Sequence, residues 1–229
     1  MSPILYMCVL RRCGADMDTI VLLVTGFLLG SIPTAQIAAY LLAGIDLRER
    51  FPTISGSGVY YAVARWAIVP VGLVDVTKGG LAAYLPYQFG GGTGMAVACG
   101  LAAVIGHNWS PWLGFRGGRG LSPFMGMLLV VFPAGVLVLL AALAVGRLVG
   151  RTPVLALLGL AVLPGVIIFS GGSDAALRGS IGMLLITVLK RLEANRRRLP
   201  RDPALRREVL WRRFWYDRDE EQWPPEVEE

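Results

Sequence analysis

Apolar runs long enough to cross a lipid bilayer are the feature that most constrains this chain. Hydrophobic residues make up 55% of the sequence and charged residues only 17%, below the quarter typical of a soluble domain. A hydrocarbon core about 30 Å thick needs roughly 20 apolar residues in one helical span. Because backbone groups in lipid must pair internally, such runs fold as helices. The sequence therefore predicts an all-α, polytopic transmembrane bundle.

The predicted spans can be read directly from the apolar runs. They cover residues 19–43, 66–89, 93–105, 121–145, 152–169 and 176–189. Pro133 interrupts the fourth run, and a proline inside a helix removes a hydrogen bond and breaks it. Two short helices there would give about seven in all.

Loop charge predicts the orientation of the bundle. With the break at Pro133, the basic residues Arg48, Arg116, Arg147 and Arg191 all lie on one side of the membrane. The positive-inside rule then places the chain in the cell membrane with its N-terminus outside and its C-terminus in the cytoplasm.

We divide the chain into a leader (residues 1–18), a transmembrane domain (19–199) and a polar cytoplasmic tail (200–229). In the leader an apolar stretch precedes Arg11 and Arg12, the reverse of a signal peptide, and Met17 is an alternative start. A basic helix is predicted over residues 190–198. Its charge suits lipid headgroups or a nucleic acid; we favour the bilayer as partner and expect no nucleic acid.

Cysteine and histidine are too sparse for a metal centre. The three cysteines, Cys8, Cys13 and Cys99, form no CxxC pair, and His107 is the one histidine. We predict neither a disulfide framework nor a bound metal.

The segment after residue 105 carries the strongest sign of a binding site. His107 and Asn108 are followed by a loop in which Gly117 and Gly118 lie between Arg116 and Arg119. Glycines let backbone N–H groups converge on an anion, and arginines suit phosphate oxygens. A helix beginning near residue 121 would add its positive end. The alternative is a basic loop that anchors lipid headgroups.

Weaker candidates lie before the second span, inside it and after the third. Ser57 sits between two glycines, with Arg65 further along the same loop, where a ligand contact and an ordinary flexible loop are both open readings. Asp75 and Lys78 share a helix face, as an ion pair or as ligands of a phosphate. His107 is a general base or a helix cap.

Taken in order, these segments resemble one family, the bacterial membrane-integral glycerol-3-phosphate acyltransferases that use acyl phosphate. The matching segments are GSIPTAQ (30–36), GIDLRE (44–49), GSG (56–58), DVTKGG (75–80), GHN (106–108), FRGGRG (115–120) and NRRRL (195–199). The resemblance covers about residues 19–199. It implies seven helices and transfer of a fatty acyl group from acyl phosphate to glycerol 3-phosphate, giving lysophosphatidate for phospholipid synthesis, without a cofactor.

The resemblance also suggests roles for individual residues. Candidate catalytic residues are Ser57, His107 and Asn195. Candidate ligands of substrate phosphate are Arg65, Lys78, Asn108, Arg116, Gly117, Gly118 and Arg119. Asp75 is assigned a structural ion pair. A catalytically inactive relative that binds phosphate or an active paralogue, and a small anion transporter, are the alternatives.

The chain departs from the family pattern at several of these places. Arginines stand at 116 and 119 where the family has lysines, which keeps the charge. Residues 59–64 replace a polar stretch and are shorter by two, and Leu192 replaces a histidine. Nothing in the resemblance corresponds to the tail beyond residue 200, and the sequence does not indicate an oligomeric state.

Overall fold

The computed structural model describes residues 18–51 and 53–219, and this part of the chain folds into helices joined by short loops. The predicted leader and the acidic end of the tail lie outside these residues. The helices are α1 (residues 18–31), α2 (Thr34–Ala43), α3 (Leu47–Arg50), α4 (Gly56–Ala62), α5 (Ile68–Gln88), α6 (Thr93–Asn108), α7 (Leu121–Val131), α8 (Ala134–Leu148), α9 (Thr152–Phe169), α10 (Asp174–Glu193) and α11 (Pro203–Tyr216).

The order of the apolar helices agrees with the prediction of an all-α membrane bundle. Three stretches are long and apolar enough to cross a membrane, Asp18–Ala43, Arg65–Gln88 and Thr152–Phe169, and α7 and α8 are shorter apolar helices. The break predicted at Pro133 is present, because α7 ends at Val131 and α8 begins at Ala134. With α1 and α2 counted as one span, seven apolar segments follow one another in the described residues.

Glycines allow the central helices to approach closely, as is usual in membrane bundles. A Cβ atom on Gly79 of α5 would lie 2.0 Å from the carbonyl oxygen of Pro123 in α7. One on Gly126 would lie 1.9 Å from the carbonyl oxygen of Val76. The α5 and α7 backbones are therefore in direct contact, and substitution at either glycine would force them apart.

The outer surface of the bundle is apolar. Leu41, Leu73, Leu137 and Phe169 are among its large exposed side chains, with Phe169 93% exposed. A surface of this kind is matched to lipid rather than to water.

Two boundaries differ from the prediction. Helix α6 continues to Asn108, three residues beyond the predicted span, so His107 and Asn108 belong to its last turn. The basic helix predicted over residues 190–198 is wrong, because α10 ends at Glu193 and Ala194 takes a left-handed conformation. Beyond it, the tail forms α11, which packs against α9 and α10.

Candidate functional site

A buried carboxylate links α5 to the break between α1 and α2. The ammonium group of Lys78 lies 2.7 Å from Asp75, and the Thr34 hydroxyl donates to the same carboxylate oxygen. Lys78 also donates to the carbonyl of Ile32 at 2.8 Å and to Thr34 at 3.3 Å. Pro33 has no N–H, so the helix is interrupted at this point, and Lys78 supplies a donor to a carbonyl beside the break.

This arrangement contains the predicted ion pair and uses the full donor capacity of the lysine. An ammonium group has three N–H donors. Lys78 directs them to Asp75, Ile32 and Thr34, and both charged side chains are about 5% exposed. The contacts of Lys78 are thus those of a residue that fixes the helices, and its predicted role as a phosphate ligand gains no support from them.

His107 faces the same carboxylate from α6. Its Nδ1 atom lies 3.7 Å from Asp75, and its side chain is 13% exposed. It also lines a small cleft between the α1–α2 break and the start of the next loop. Ser110, on the other side of the cleft, donates to the carbonyl of Ser31 at 2.6 Å. His107 is therefore accessible from the cleft while contacting the internal polar network.

The glycine-rich loop packs directly on the end of α6. A Cβ on Gly117 would lie 2.0 Å from the His107 carbonyl oxygen, and one on Gly118 would lie 2.3 Å from His107 Nε2. The N–H of Gly117 donates to the Asn108 carbonyl at 3.1 Å and that of Gly118 to the His107 carbonyl at 3.2 Å. The sequence led us to expect that these N–H groups converge on an anion. In this structure they instead cap the end of α6. Gly117 is required here because its backbone touches that of α6, and Gly118 because a side chain there would meet the His107 ring.

Asn108 is a buried polar side chain without a hydrogen-bond partner among the described residues. It is 0% exposed, and neither its amide nitrogen nor its carbonyl oxygen is paired. Gly120, in a left-handed conformation at the start of α7, leaves the space that the Asn108 side chain occupies. Buried polar groups are nearly always paired, so an open amide at this point is a candidate for binding a ligand or water.

Arg119 connects three parts of the chain that are distant in sequence. Its guanidinium donates to Asp217 at 2.7 Å, to the carbonyl of Lys190 at 3.1 Å and to the Thr53 hydroxyl at 3.4 Å. Asn195 also donates to Thr53, at 3.0 Å, and reaches the Gly117 carbonyl at 3.5 Å. Arg119 and Asn195 thus meet at Thr53, and Asn195 extends the cluster to the glycine-rich loop.

Asn195 lies in an unusual turn after α10. Ala194, Asn195 and Arg196 have φ values of 45°, 55° and 64°, so three consecutive residues other than glycine are left-handed. Such a conformation costs about 1–2 kcal/mol per residue, and surrounding contacts must hold it. One such contact is made by Arg197, which donates to the Ala194 carbonyl at 3.1 Å. Burial lowers the pKa of the Arg197 guanidinium, although the Asp219 carboxylate acts in the opposite direction.

Three predicted site residues lie outside this cluster. Ser57, Arg65 and Arg116 are exposed. The Ser57 hydroxyl pairs with that of Ser55 at 2.8 Å, and no side-chain partner of Arg65 or Arg116 is found within residues 18–51 and 53–219. These three groups remain predictions, since the hydrogen bonds found among the described residues join Arg119, Asn195, the glycines and the end of α6 but not these three side chains.

Other residues of the site were not predicted from the sequence. Thr34, Thr53, Lys190 and Asp217 all contact predicted site residues. Thr34 lies inside a segment that we singled out, but Thr53 and Asp217 belong to no motif, and only the folded chain places them. Among the residues that the structure describes, no cluster of three His, Cys, Asp or Glu side chains is arranged to hold a metal ion.

A comparison with protein families matches most of this chain to one of them. The sequence model of the family described as glycerol-3-phosphate acyltransferase matches residues 20–201. A glycerol-3-phosphate acyltransferase of Synechococcus sp. (strain CC9902) is 37% identical over 188 residues, covering 80% of this chain and 92% of the relative. Glycerol-3-phosphate acyltransferase 1 of Dehalococcoides mccartyi (strain ATCC BAA-2266 / KCTC 15142 / 195) is 33% identical over 202 residues, covering 83% and 97%.

The fold is also similar to that of a solved structure. The crystal structure of PlsY (YgiH), an integral membrane glycerol 3-phosphate acyltransferase, in its glycerol 3-phosphate form superposes with a TM-score of 0.69. The match covers 77% of this chain and 89% of the other at 23% sequence identity. The likeness supports the predicted membrane bundle, and residues after 201 lie beyond the segment that the family model matches.

Proposed function

We propose that this chain, which belongs to the glycerol-3-phosphate acyltransferase family, transfers a fatty acyl group from acyl phosphate to glycerol 3-phosphate in the membrane. The observation that carries this conclusion is the match of residues 20–201 to the family, which includes all the segments that meet around Arg119 and His107 except Asp217. The products are lysophosphatidate, a phospholipid precursor, and inorganic phosphate.

The chemistry requires one bond to form and one to break. A hydroxyl oxygen of glycerol 3-phosphate attacks the carbonyl carbon of acyl phosphate, and the bond from that carbon to the phosphate oxygen breaks. The hydroxyl proton leaves with the phosphate, since a phosphate oxygen of a substrate can accept it. Catalysis then consists mostly of positioning two anionic substrates and stabilising charge as it develops.

Arg119 is the proposed principal ligand of substrate phosphate. Its side chain is 18% exposed, and its guanidinium donates to fixed partners on three segments, so its position is defined before substrate arrives. Arginine suits phosphate because its planar group presents several donors in a fixed arrangement. We further propose that Arg116 and Arg65 attract the anionic substrates at the exposed edge, and that the open amide of Asn108 hydrogen-bonds one of them.

The internal network has a different proposed role. Asp75, Lys78 and Thr34 hold the α1–α2 break against α5, and this fixes one wall of the cleft that His107 lines. We assign His107 to substrate contact in that cleft, with Asp75 orienting its ring. The acyl chain has an apolar environment available at the lipid-facing surface of the bundle.

Phosphate release tests the proposed activity. Purified protein in detergent should release phosphate when given acyl phosphate and glycerol 3-phosphate, and omission of the acceptor gives the background. Arg119→Ala should lower kcat/KM about 10- to 100-fold, since a hydrogen bond to a charged group contributes about 1.5–3 kcal/mol. An inactive relative would bind phosphate without turnover, and an anion transporter would move phosphate into proteoliposomes. Either result without acyl transfer would refute the proposal.

The orientation in the membrane is a separate proposal. Arg116 lies in the loop before α7, and Arg147 and Arg191 lie in the last turns of α8 and α10. The positive-inside rule places the membrane face that carries these arginines in the cytoplasm. A fluorescent protein fused after residue 229 should then fluoresce in bacterial cells, whereas a fused alkaline phosphatase should be inactive. An active phosphatase with a dark fluorescent fusion would reverse the orientation.

A further inference from the structure

The tail helix α11 is fixed to the bundle by two arginines, one on α10 and one on α11 itself. Arg191 of α10 donates to the carbonyls of Phe214 at 2.8 Å and Trp215 at 3.3 Å. Arg213 of α11 is 1% exposed and donates to the carbonyls of Leu192 at 3.0 Å and Arg197 at 3.2 Å. Because these contacts join the tail to α10, they fix the position of the C-terminal end of α11 against the bundle.

The residue after α11 is Asp217, which has a left-handed conformation and ends the helix. The carboxylate lies 2.7 Å from Nε of Arg119. The positive charges of Arg119 and Arg191 repel each other, and the Asp217 carboxylate attracts both. The carboxylate therefore stabilises two neighbouring positive charges. Asp217 thus contacts the central arginine of the site from a part of the chain outside the family match.

We propose that Asp217 is a positioning residue for Arg119 in the acyltransferase reaction, an inference that rests on the function proposed above. An arginine side chain has about 2 kcal/mol of rotamer entropy, part of which is lost whenever it binds a ligand. The Asp217 carboxylate fixes the guanidinium before the substrate arrives. Less of the free energy of phosphate binding is then spent on ordering the side chain.

The donor geometry favours positioning over competition with the substrate. A guanidinium has five N–H donors, and the described residues engage three of them, through Asp217, Lys190 and Thr53. Two remain for a phosphate. Asp217 contacts the group through one oxygen at Nε, and its other oxygen has no hydrogen-bond partner among the described residues. A carboxylate in the place of phosphate would be expected to use both oxygens in a bidentate pair.

The test is Asp217→Asn in the full-length protein, with kcat and KM measured for both substrates. We expect kcat/KM to fall about tenfold, mainly through a higher KM for the substrate whose phosphate Arg119 binds. The matched control is Glu208→Gln, the same carboxylate-to-amide change in α11. Glu208 pairs with Arg212 at 2.8 Å and is 53% exposed, so its replacement should leave both constants unchanged.

A double variant separates positioning from a general effect on folding. If Asp217 acts through Arg119, adding Asp217→Asn to Arg119→Ala should cause no further loss of activity. A tenfold loss in that background as well would overturn the proposal, and so would an unchanged kcat/KM in the single variant. A faster Asp217→Asn enzyme would also overturn it, by showing that the tail competes with the substrate.

A binding measurement keeps this inference separate from the proposed reaction. Inorganic phosphate should raise the thermal unfolding midpoint of the wild-type protein and of Glu208→Gln. The rise should be smaller for Asp217→Asn, because Arg119 loses the carboxylate that helps to fix its guanidinium. An absence of turnover with every acceptor would refute the proposed function. A smaller phosphate-induced rise for Asp217→Asn than for the wild type would still support the positioning of Arg119 by Asp217. An equal rise in all three proteins would refute the inference.

Discussion

The two polar clusters of this protein differ in how fully their hydrogen-bonding groups are engaged. In the inner cluster, Lys78 directs its three donors to Asp75, Ile32 and Thr34. In the outer cluster, Arg119 has two donors left after its contacts with described residues. A network whose donors are all engaged stabilises a bundle, whereas one with free donors can bind a ligand. The number of free donors therefore distinguishes a structural cluster from a binding cluster, which residue type alone does not.

The inner cluster should give the largest change in stability. Asp75→Asn removes the charge that pairs with Lys78 and leaves an ammonium group buried without a counter-ion. We expect the free energy of unfolding to fall by about 3–5 kcal/mol, as when one partner of a buried ion pair is lost. Denaturation in detergent measures this change.

The double variant Asp75→Asn with Lys78→Met is the control for that prediction. With both charges removed, no unpaired ion remains, and stability should recover in part. Equal stability of Asp75→Asn and the wild type would show that the inner pair is not structural, and the distinction between the clusters would fail.

Asn108 combines features of both clusters, because it is buried like the inner cluster yet has no hydrogen-bond partner among the described residues. Asn108→Leu keeps the number and branching of the side-chain heavy atoms and removes an amide whose burial is not compensated by any described residue. We expect stability to be unchanged or higher by about 1 kcal/mol, while kcat/KM falls about tenfold. Thermal unfolding and phosphate release measure the two effects. Full activity in a stabilised variant would show that the amide does not contact substrate.

Substitution of the exposed Arg116 should have the smallest effect on activity, and this effect should depend on salt. Arg116→Gln removes an exposed cation without a described partner, so the unfolding midpoint should not move. KM for the anionic substrates should rise a few-fold at low ionic strength and approach the wild-type value near 0.5 M salt, where exposed charges are screened. A KM effect that persists at high salt would instead place Arg116 in direct contact with substrate.

Much of the fold could be predicted from local pattern. Apolar length located the spans, and Pro133 located the break between α7 and α8. The basic helix predicted after residue 190 failed, because Asn195 is held by Thr53 in a left-handed turn that no helix propensity indicates. A contact of this kind, between residues 142 positions apart, leaves no periodic signal in the sequence.

The sequence by itself determined the membrane bundle, the family and the group of residues from which the proposed phosphate site is built, because apolar length and ordered motifs are properties of the chain alone. Only the tertiary structure decided how these residues divide their hydrogen bonds. It assigned the Gly117 and Gly118 N–H groups to the end of α6, used all the donors of Lys78, and brought Asp217 to Arg119. The number of free donors on a side chain depends on neighbours in space, and the packing of the helices sets those neighbours.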